Sequence, residues 1–519
     1  MSAPQQSAAP AVPDTAVHDT ADPADSAPAD SASGAASPSA PDATYDVIVL
    51  GGGPVGENAA QYAIESTDLT AAIVEEALLG GECSYYACMP SKALLRPIDV
   101  ARTTETLPGV ATAALEPEAL LARRDDWVSH YDDAGQARWA EGAGLALERG
   151  HGRLVGERRV EVLAADGTRR VLAARHAVIL ATGSEAAIPG PLQGIEPWTS
   201  RDATGVVEVP ERLVIIGGGV VACEAATWMR ALGAAVTMLV RGDSLLSSAE
   251  PFAGEAVAAG LEEIGVRIVH GARVAQAHRP QAQPTGLGRI HGGPVSLRCE
   301  DGTEHEADEV LVATGRRPRL GDVGLESIGL GADEVLAGRL PAWLHAVGDA
   351  SGEAPLTHWG KHRARVVGAR IAAAVTGAQP PFEVPDAPVP QVVFTDPQVA
   401  SIGETEAQAR ERGAAVVTAQ VPFGAAAGTA LLRDAVPGRA QIVVDRATGL
   451  LLGAAFVGPE AAELVHAATV AITGRVPVAV LRHAVASYPT ASELWLRLLE
   501  ELPRELRAPV GPPVSAPGR

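Results

Sequence analysis

Tyr45-Asp46-Val47-Ile48-Val49-Leu50-Gly51-Gly52-Gly53-Pro54-Val55-Gly56 decides the fold. The largely apolar first half predicts a buried strand, the glycines a tight turn, and the pattern from Glu57 onward a helix. Gly51 permits the turn, Gly53 leaves room for a pyrophosphate against the backbone, and Gly56 allows close packing of the helix, whose N-terminus favours negative charge. A second strand, Ala71 to Val74, ends at Glu75, where a carboxylate can accept hydrogen bonds from a ribose. Strand, glycine turn, helix, strand and acid in that order predict a dinucleotide-binding unit.

The pattern then recurs. Leu213-Val214-Ile215-Ile216 runs into Gly217-Gly218-Gly219-Val220-Val221-Ala222, a second fingerprint with alanine at its last small position. The next strand, Val236 to Val240, ends without an acid and is followed by Arg241. A guanidinium in place of the ribose-reading carboxylate suits a 2′-phosphate, so NADPH is expected over NADH at this second site. Each unit also closes alike: Ala177 to Leu180 leads into Ala181-Thr182-Gly183-Ser184, and Glu309 to Val312 into Ala313-Thr314-Gly315-Arg316. The repetition predicts two similar α/β units in series.

Downstream of the first turn lies Gly80-Gly81-Glu82-Cys83-Ser84-Tyr85-Tyr86-Ala87-Cys88-Met89-Pro90-Ser91-Lys92. Its two cysteines are five apart. Five helical residues rise roughly 7.5 Å, more than the ~7 Å that bridged Cα atoms tolerate, so a disulfide here requires a broken helix. A distorted, reducible disulfide beside a nucleotide site is redox chemistry. Lysine stands only at 92 and 361 among 41 lysines and arginines, so each lysine is a candidate for work a guanidinium cannot do. Lys92, four residues past Cys88, is placed to lower a thiolate pKa or to face an electron-rich cofactor. Lys361 is either a second working ammonium or a surface charge. Tyr85 and Tyr86 either line the path of a flat acceptor or pack over the thiols.

The length of 519 residues suggests about three domains, and the 47% apolar content is ample to bury them. Residues 1–43 are rich in Ala, Pro, Ser and Asp, without Lys, Arg or aromatic residues, and read as a disordered acidic tail. Residues 507–519, rich in Pro and Gly, read as a short disordered end. The start has no secretory pattern and no later run is long and apolar enough to span a bilayer, so a cytoplasmic protein with no membrane span is expected. A formal charge of −22 argues against nucleic acid as a partner. Four cysteines make no structural disulfide framework, and Cys223 and Cys299 read as small core residues.

From roughly residue 44 to 505 the chain resembles the flavoprotein disulfide reductases, the class I pyridine nucleotide-disulfide oxidoreductases that include lipoamide dehydrogenase, glutathione reductase and mercuric reductase. The family's two glycines, cysteine, four residues, cysteine, and then residue-Pro-Ser-Lys are matched by Gly80 to Lys92. Its flavin-contacting Gly-Asp is matched by Gly348-Asp349, followed by Leu356-Thr357-His358 at the start of a helix. The resemblance implies two Rossmann-like dinucleotide-binding domains, for FAD and NAD(P), plus a C-terminal α+β interface domain that makes a homodimer. The boundaries it implies are FAD-binding 44–195 and 326–385, NAD(P)-binding 196–325, and interface 386–506. It also implies that Asp349 bonds the ribityl chain, that Thr357 offers its backbone to the flavin ring, and that Lys92 sits by the reactive flavin nitrogen paired with Glu224. Cys83 becomes the interchange thiol that meets substrate, and Cys88 the charge-transfer thiol against the flavin.

One landmark departs from the pattern. Family members that reduce thiol substrates carry His-Pro-Thr near the C-terminus with a glutamate five residues after the histidine; here the stretch is Tyr488-Pro489-Thr490-Ala491-Ser492-Glu493. A phenol with a pKa of about 10 does not hold a proton in reserve near neutrality as imidazole does. His483, five residues earlier, is a displaced candidate base or a structural residue. No cysteine follows Cys299 and no metal-binding cysteine domain precedes Tyr45, so no metal site is expected and mercuric reductase is disfavoured. The expected activity is an FAD-dependent NAD(P)H oxidoreductase that passes electrons through a Cys83-Cys88 disulfide to an unassigned small-molecule acceptor. Three alternatives stand beside it: a quinone reductase or diaphorase that uses the flavin directly, a lipoamide dehydrogenase-like enzyme with Tyr488 for the usual base, and a redox-sensing flavoprotein with little turnover.

Overall fold

The structure is a computed structural model that describes residues 40–384 and 387–507. Most of the two expected tails, 1–43 and 507–519, lies outside the described residues, and the first strand begins at Ala43.

The strand of the first fingerprint, β1 (Ala43–Leu50), is buried from Val47 to Leu50 because both faces of its sheet are covered. It lies between β2 (Ala71–Glu75) and β6 (Arg169–Leu180), parallel to both. Beyond β2 comes β3 (Leu145–Arg149), also parallel. Beyond β6 come β5 (Arg159–Leu163) and β4 (His151–Gly156), antiparallel, while the strand Leu344–Ala346 returns to pair with β6. The helix after the turn, α1 (Pro54–Ile64), starts three residues before the expected Glu57, because Pro54 has a fixed φ that suits a first helical position.

The second fingerprint repeats this order. Arg267–His270, Ala235–Val240, Arg212–Ile216 and Glu309–Val312 form a parallel sheet in which the fingerprint strand again lies between its successor and the strand of the Ala-Thr-Gly segment. The cysteine segment forms α2 (Gly81–Tyr85) and α3 (Cys88–Glu105), and the helix after the second turn is α4 (Val220–Ala231). The turns match in detail. Gly51 has φ +102 and a Cβ there would stand 2.3 Å from the Ala181 carbonyl oxygen; Gly217 has φ +135 and would meet the Ala313 oxygen at the same 2.3 Å. The two Ala-Thr-Gly segments are thus the walls against which the two glycine turns are pressed.

Residues 391–458 build an antiparallel sheet in the order Gln391–Val393, Gln398–Gly403, Leu451–Gly458, Arg439–Asp445, Val416–Pro422. Phe423, Phe456, Leu494 and Leu498 fill its core. This is the expected α+β part, and the two sheets built around the fingerprint strands, the first mixed and the second all parallel, are the expected Rossmann-like units. Val485, Leu431 and Val470 of this part are 93%, 70% and 56% exposed, which leaves apolar surface uncovered by the single chain. No helix among the described residues is long and apolar enough to cross a membrane.

Gly51→Ala is expected to lower the melting temperature by several degrees, about 2 kcal/mol of backbone strain and clash. Gly142→Ala, with nothing near its Cβ at the end of the helix Ala134–Gly142, leaves it unchanged or raises it.

Candidate active site

Both glycine turns end in helices whose first turns no side chain caps. Their free N–H groups, together with the helix dipole, make anion sites. A Cβ on Gly53 would meet only Gly81 Cα, at 3.9 Å, and one on Gly219 nothing within 4 Å, so each turn opens onto space where a pyrophosphate fits against bare backbone. Gly56 and Ala222 lie buried behind the turns. Glu75 Oε2 accepts the Gly52 N–H at 2.6 Å and Oε1 the Ala77 N–H at 2.7 Å, which fixes the carboxylate at the end of β2 with lone pairs to spare for a ribose. Arg241 stands exposed directly after the strand Ala235–Val240. Gly183, at φ +72, leads to Ser184, whose hydroxyl is bonded to Asp349; Arg316 donates to that hydroxyl and to the Ser184 carbonyl, both at 2.7 Å. Gly315, at φ +131, accepts the Ala187 N–H at 3.0 Å.

The cysteine segment is broken as its spacing requires. The short helix α2 carries Cys83 and ends; Ala87, at φ −138 and ψ −91, leaves the helical region; α3 begins at Cys88. The segment is tied to the first turn, since the Gly80 N–H donates to the Gly52 carbonyl at 2.7 Å and a Cβ on Gly81 would stand 2.5 Å from Gly53 Cα. Glu82 anchors the short helix through Arg316 at 2.8 Å and Arg201 at 3.5 Å.

Three groups act on Cys88. Its Sγ lies 3.4 Å from the hydroxyl of Thr357, the first residue of α5 (Thr357–Thr376), and the Cys83 thiol is hydrogen-bonded to it. Cys88 is the first residue of α3, and Lys92 lies one turn on. The Lys92 ammonium donates to Glu224 Oε2 at 2.7 Å, to Ser91 Oγ at 3.3 Å, and stands 4.8 Å over the Phe394 ring. Glu224, a buried residue of α4, accepts the Phe394 N–H at 3.0 Å on its other oxygen. Its burial excludes an ordinary solvated helical acid.

These contacts divide the two thiols. The Cys83 bond, the Thr357 hydroxyl and the Lys92 charge together outweigh burial and hold the Cys88 thiol down at about 6. Cys83 moves the other way, because it donates to Cys88 and is buried beside that charge. Cys88 is therefore the thiolate at neutral pH and Cys83 keeps the proton.

The C-terminal candidates stand apart from this cluster. Tyr488 is 78% exposed, and among the described residues nothing ties it to either thiol. Glu493, at the start of the helix Glu493–Glu501, is buried with Oε2 unpartnered among the described residues, and His483 is exposed. Tyr85 is buried, whereas Tyr86 stacks on Tyr131 with centroids 5.5 Å apart and lies under Arg201 at 4.7 Å, so both pack around the thiol segment. Cys223 and Cys299 are core residues. The Thr357 side chain, Phe394 and Arg316 join the site from segments that no local pattern connects to the cysteines.

Residues 45–358 match the family described as pyridine nucleotide-disulphide oxidoreductase, and residues 389–498 match its dimerisation domain. The dihydrolipoyl dehydrogenase of Haloferax volcanii is 33% identical over 476 residues, covering 88% of this chain and 95% of that protein. The mercuric reductase of Shigella flexneri is 31% identical over 463 residues, 86% of this chain and 79% of that one. The crystal structure of LpdA from Mycobacterium tuberculosis has the same fold, with a TM-score of 0.73 at 24% identity over 88% of this chain and 98% of its own.

Lys92→Met strands the buried Glu224 carboxylate and is expected to cost about 3 kcal/mol in denaturant unfolding. Glu224→Gln, which keeps an acceptor for Phe394, costs less, and the double variant recovers most of the loss; a cycle of unfolding curves measures the three.

Proposed function

We propose, from the premise that this chain belongs to the pyridine nucleotide-disulphide oxidoreductases, that it carries electrons from NAD(P)H to the Cys83-Cys88 pair and releases them from Cys83 to a small-molecule acceptor. It is an enzyme of that family, whose cofactors are FAD and NAD(P)H. The dimerisation domain at 389–498 supports a homodimer.

On this reading Gly51, Gly53, Gly56 and Glu75 hold FAD, with Gly183, Asp349 and Thr357 along its length. Gly217, Gly219, Ala222, Arg241 and Gly315 hold the nicotinamide dinucleotide. The domains divide at about 44–195 with 326–385, 196–325 and 386–506. FAD supplies hydride acceptance and two-electron transfer when bound. The chain's own residues do the rest: Lys92 and Glu224 hold a fixed ammonium beside the thiols, Thr357 donates to Cys88, and Cys83 retains the transferable proton. The depressed Cys88 thiol carries the reading, because a thiolate at neutral pH beside an uncapped nucleotide turn is what an electron relay requires.

The test is an anaerobic titration with NADPH and then NADH, following the flavin spectrum. Two electrons held with a long-wavelength charge-transfer band are expected; bleaching without that band sinks the relay. Because the Cys88 thiol is held down, the thiolate persists above about pH 6 and the band fades as pH falls through that value. Cys83→Ser is expected to abolish reduction of an aromatic disulfide probe, and full retention of quinone reduction in that variant would support direct use of the flavin for quinones. For the second site, Arg241→Ala lowers kcat/KM for NADPH and spares NADH.

A further inference from the structure

Glu82 stands next to Cys83 on α2, a five-residue helix that no side chain caps. Its carboxylate meets two guanidiniums, Arg316 at 2.8 Å on Oε1 and Arg201 at 3.5 Å on Oε2. The rest of Arg316 joins further segments. Its Nε donates to the Ser184 hydroxyl and Nη2 to the Ser184 carbonyl, both at 2.7 Å, and Nη1 donates to the Ser200 hydroxyl at 3.2 Å. Its backbone is itself tied down, because Arg316–Pro318 pairs antiparallel with Ser184–Ala186. One guanidinium thus locks Glu82 to two other stretches of chain.

The far end of α2 is held from the same side. Thr204 Oγ1 donates to the Tyr86 carbonyl at 2.8 Å, and the Arg201 guanidinium lies 4.7 Å over the Tyr86 ring. The helix Ser200–Thr204 that presents these groups is fixed in turn by a capping box of Thr199 and Asp202. Cys88 is held by other means: Thr357 touches it, and its helix α3 is pinned by Lys92 on Glu224. The two thiols therefore sit on separately anchored helices that part at Ala87. Backbone fixes where α2 starts, through Gly80 on Gly52, and side chains fix how it is turned.

We propose that Arg316, aided by Arg201, is the positioning residue of the interchange thiol: by gripping Glu82 it keeps Cys83 within bonding reach of Cys88 in the reduced enzyme. This rests on the reading that Cys83 and Cys88 are a redox pair. An internal disulfide is favoured in proportion to the effective concentration of one thiol at the other, so a helix held in place makes the pair harder to reduce. Loosening α2 lets Cys83 swing away in the dithiol, and the couple becomes more oxidising. A plain charge effect leaves a different pattern. A carboxylate beside Cys83 disfavours thiolate and a guanidinium favours it, so by charge alone removing Glu82 and removing Arg316 move the couple in opposite directions. Positioning moves it the same way in both.

The measurement is a thiol equilibrium. Holoenzyme is equilibrated anaerobically in mixtures of reduced and oxidised dithiothreitol and quenched with acid, and free Cys83 and Cys88 are counted by alkylation and peptide mass spectrometry. In that exchange the reagent closes to its cyclic disulfide and gives two electrons to the Cys83-Cys88 disulfide. Glu82→Ala is expected to shift the equilibrium about tenfold toward the dithiol, which is about 30 mV. Arg316→Met shifts it the same way. Glu82→Gln loses the charge but keeps an acceptor oxygen for Arg316, so it shifts the equilibrium by about threefold or less. A loss of stability alone moves the unfolding curve and leaves the thiol equilibrium of the folded enzyme in place. Opposite shifts in Glu82→Ala and Arg316→Met, equal shifts in Glu82→Ala and Glu82→Gln, or no shift in Glu82→Ala overturn the proposal. The two Glu82 variants decide on their own should Arg316→Met lose FAD or fail to fold. Failure of the redox-pair reading appears separately, as a wild-type enzyme whose two cysteines stay free in fully oxidised dithiothreitol.

Discussion

The Lys92–Glu224 ion pair joins two helices whose paired residues stand 132 positions apart in the chain. Lys92 comes from the first turns of α3, Glu224 from the first turns of α4, and the Phe394 N–H that completes the carboxylate from the start of the antiparallel sheet. A carboxylate as buried as Glu224 costs several kcal/mol to desolvate and is tolerated only with good partners. Only one relative placement of the two helices supplies both. Since α4 begins at the second glycine turn, fixing Glu224 on Lys92 also fixes where that turn lies with respect to Cys88.

The same economy governs the thiol segment. Its break at Ala87 lets the two sulfurs meet, and it also creates a fresh helix N-terminus at Cys88, so one distortion satisfies the geometry and supplies positive potential. Gly80 is hydrogen-bonded to Gly52 and Gly81 packs against Gly53, so the thiols inherit their position from the first glycine turn. A cofactor laid on that turn finds the sulfurs at a distance set by backbone alone.

Much of this is legible in the sequence. The two fingerprints foretell both sheets built around them, since apolar strands and glycine turns act over a few residues and leave local patterns. The spacing of Cys83 and Cys88 by itself demands a break in the helix. Resemblance supplies the Lys92–Glu224 pairing, which no periodicity encodes across 132 positions. Contact between distant segments leaves no such trace: Thr357 on Cys88 and Phe394 on Glu224. Tyr85 and Tyr86 admit two readings in sequence, and only the positions of Tyr131 and Arg201 show them packing. The early start of α1 has a local cause, because Pro54 already fits the first helical place that the helical pattern gives to Glu57.

The cations tied to the thiol segment are of two kinds. A guanidinium presents a planar fork that seeks a bidentate carboxylate. An ammonium is a point charge without that geometric demand. Lys92 is held by an ion pair with the buried Glu224. The thiols differ chiefly through the hydrogen bond between them: Cys88, which accepts it and has the Thr357 hydroxyl and the Lys92 charge nearby, is held down, and Cys83, which donates it and is buried, keeps its proton. A relay needs that asymmetry, because two thiolates would repel and two thiols would not react.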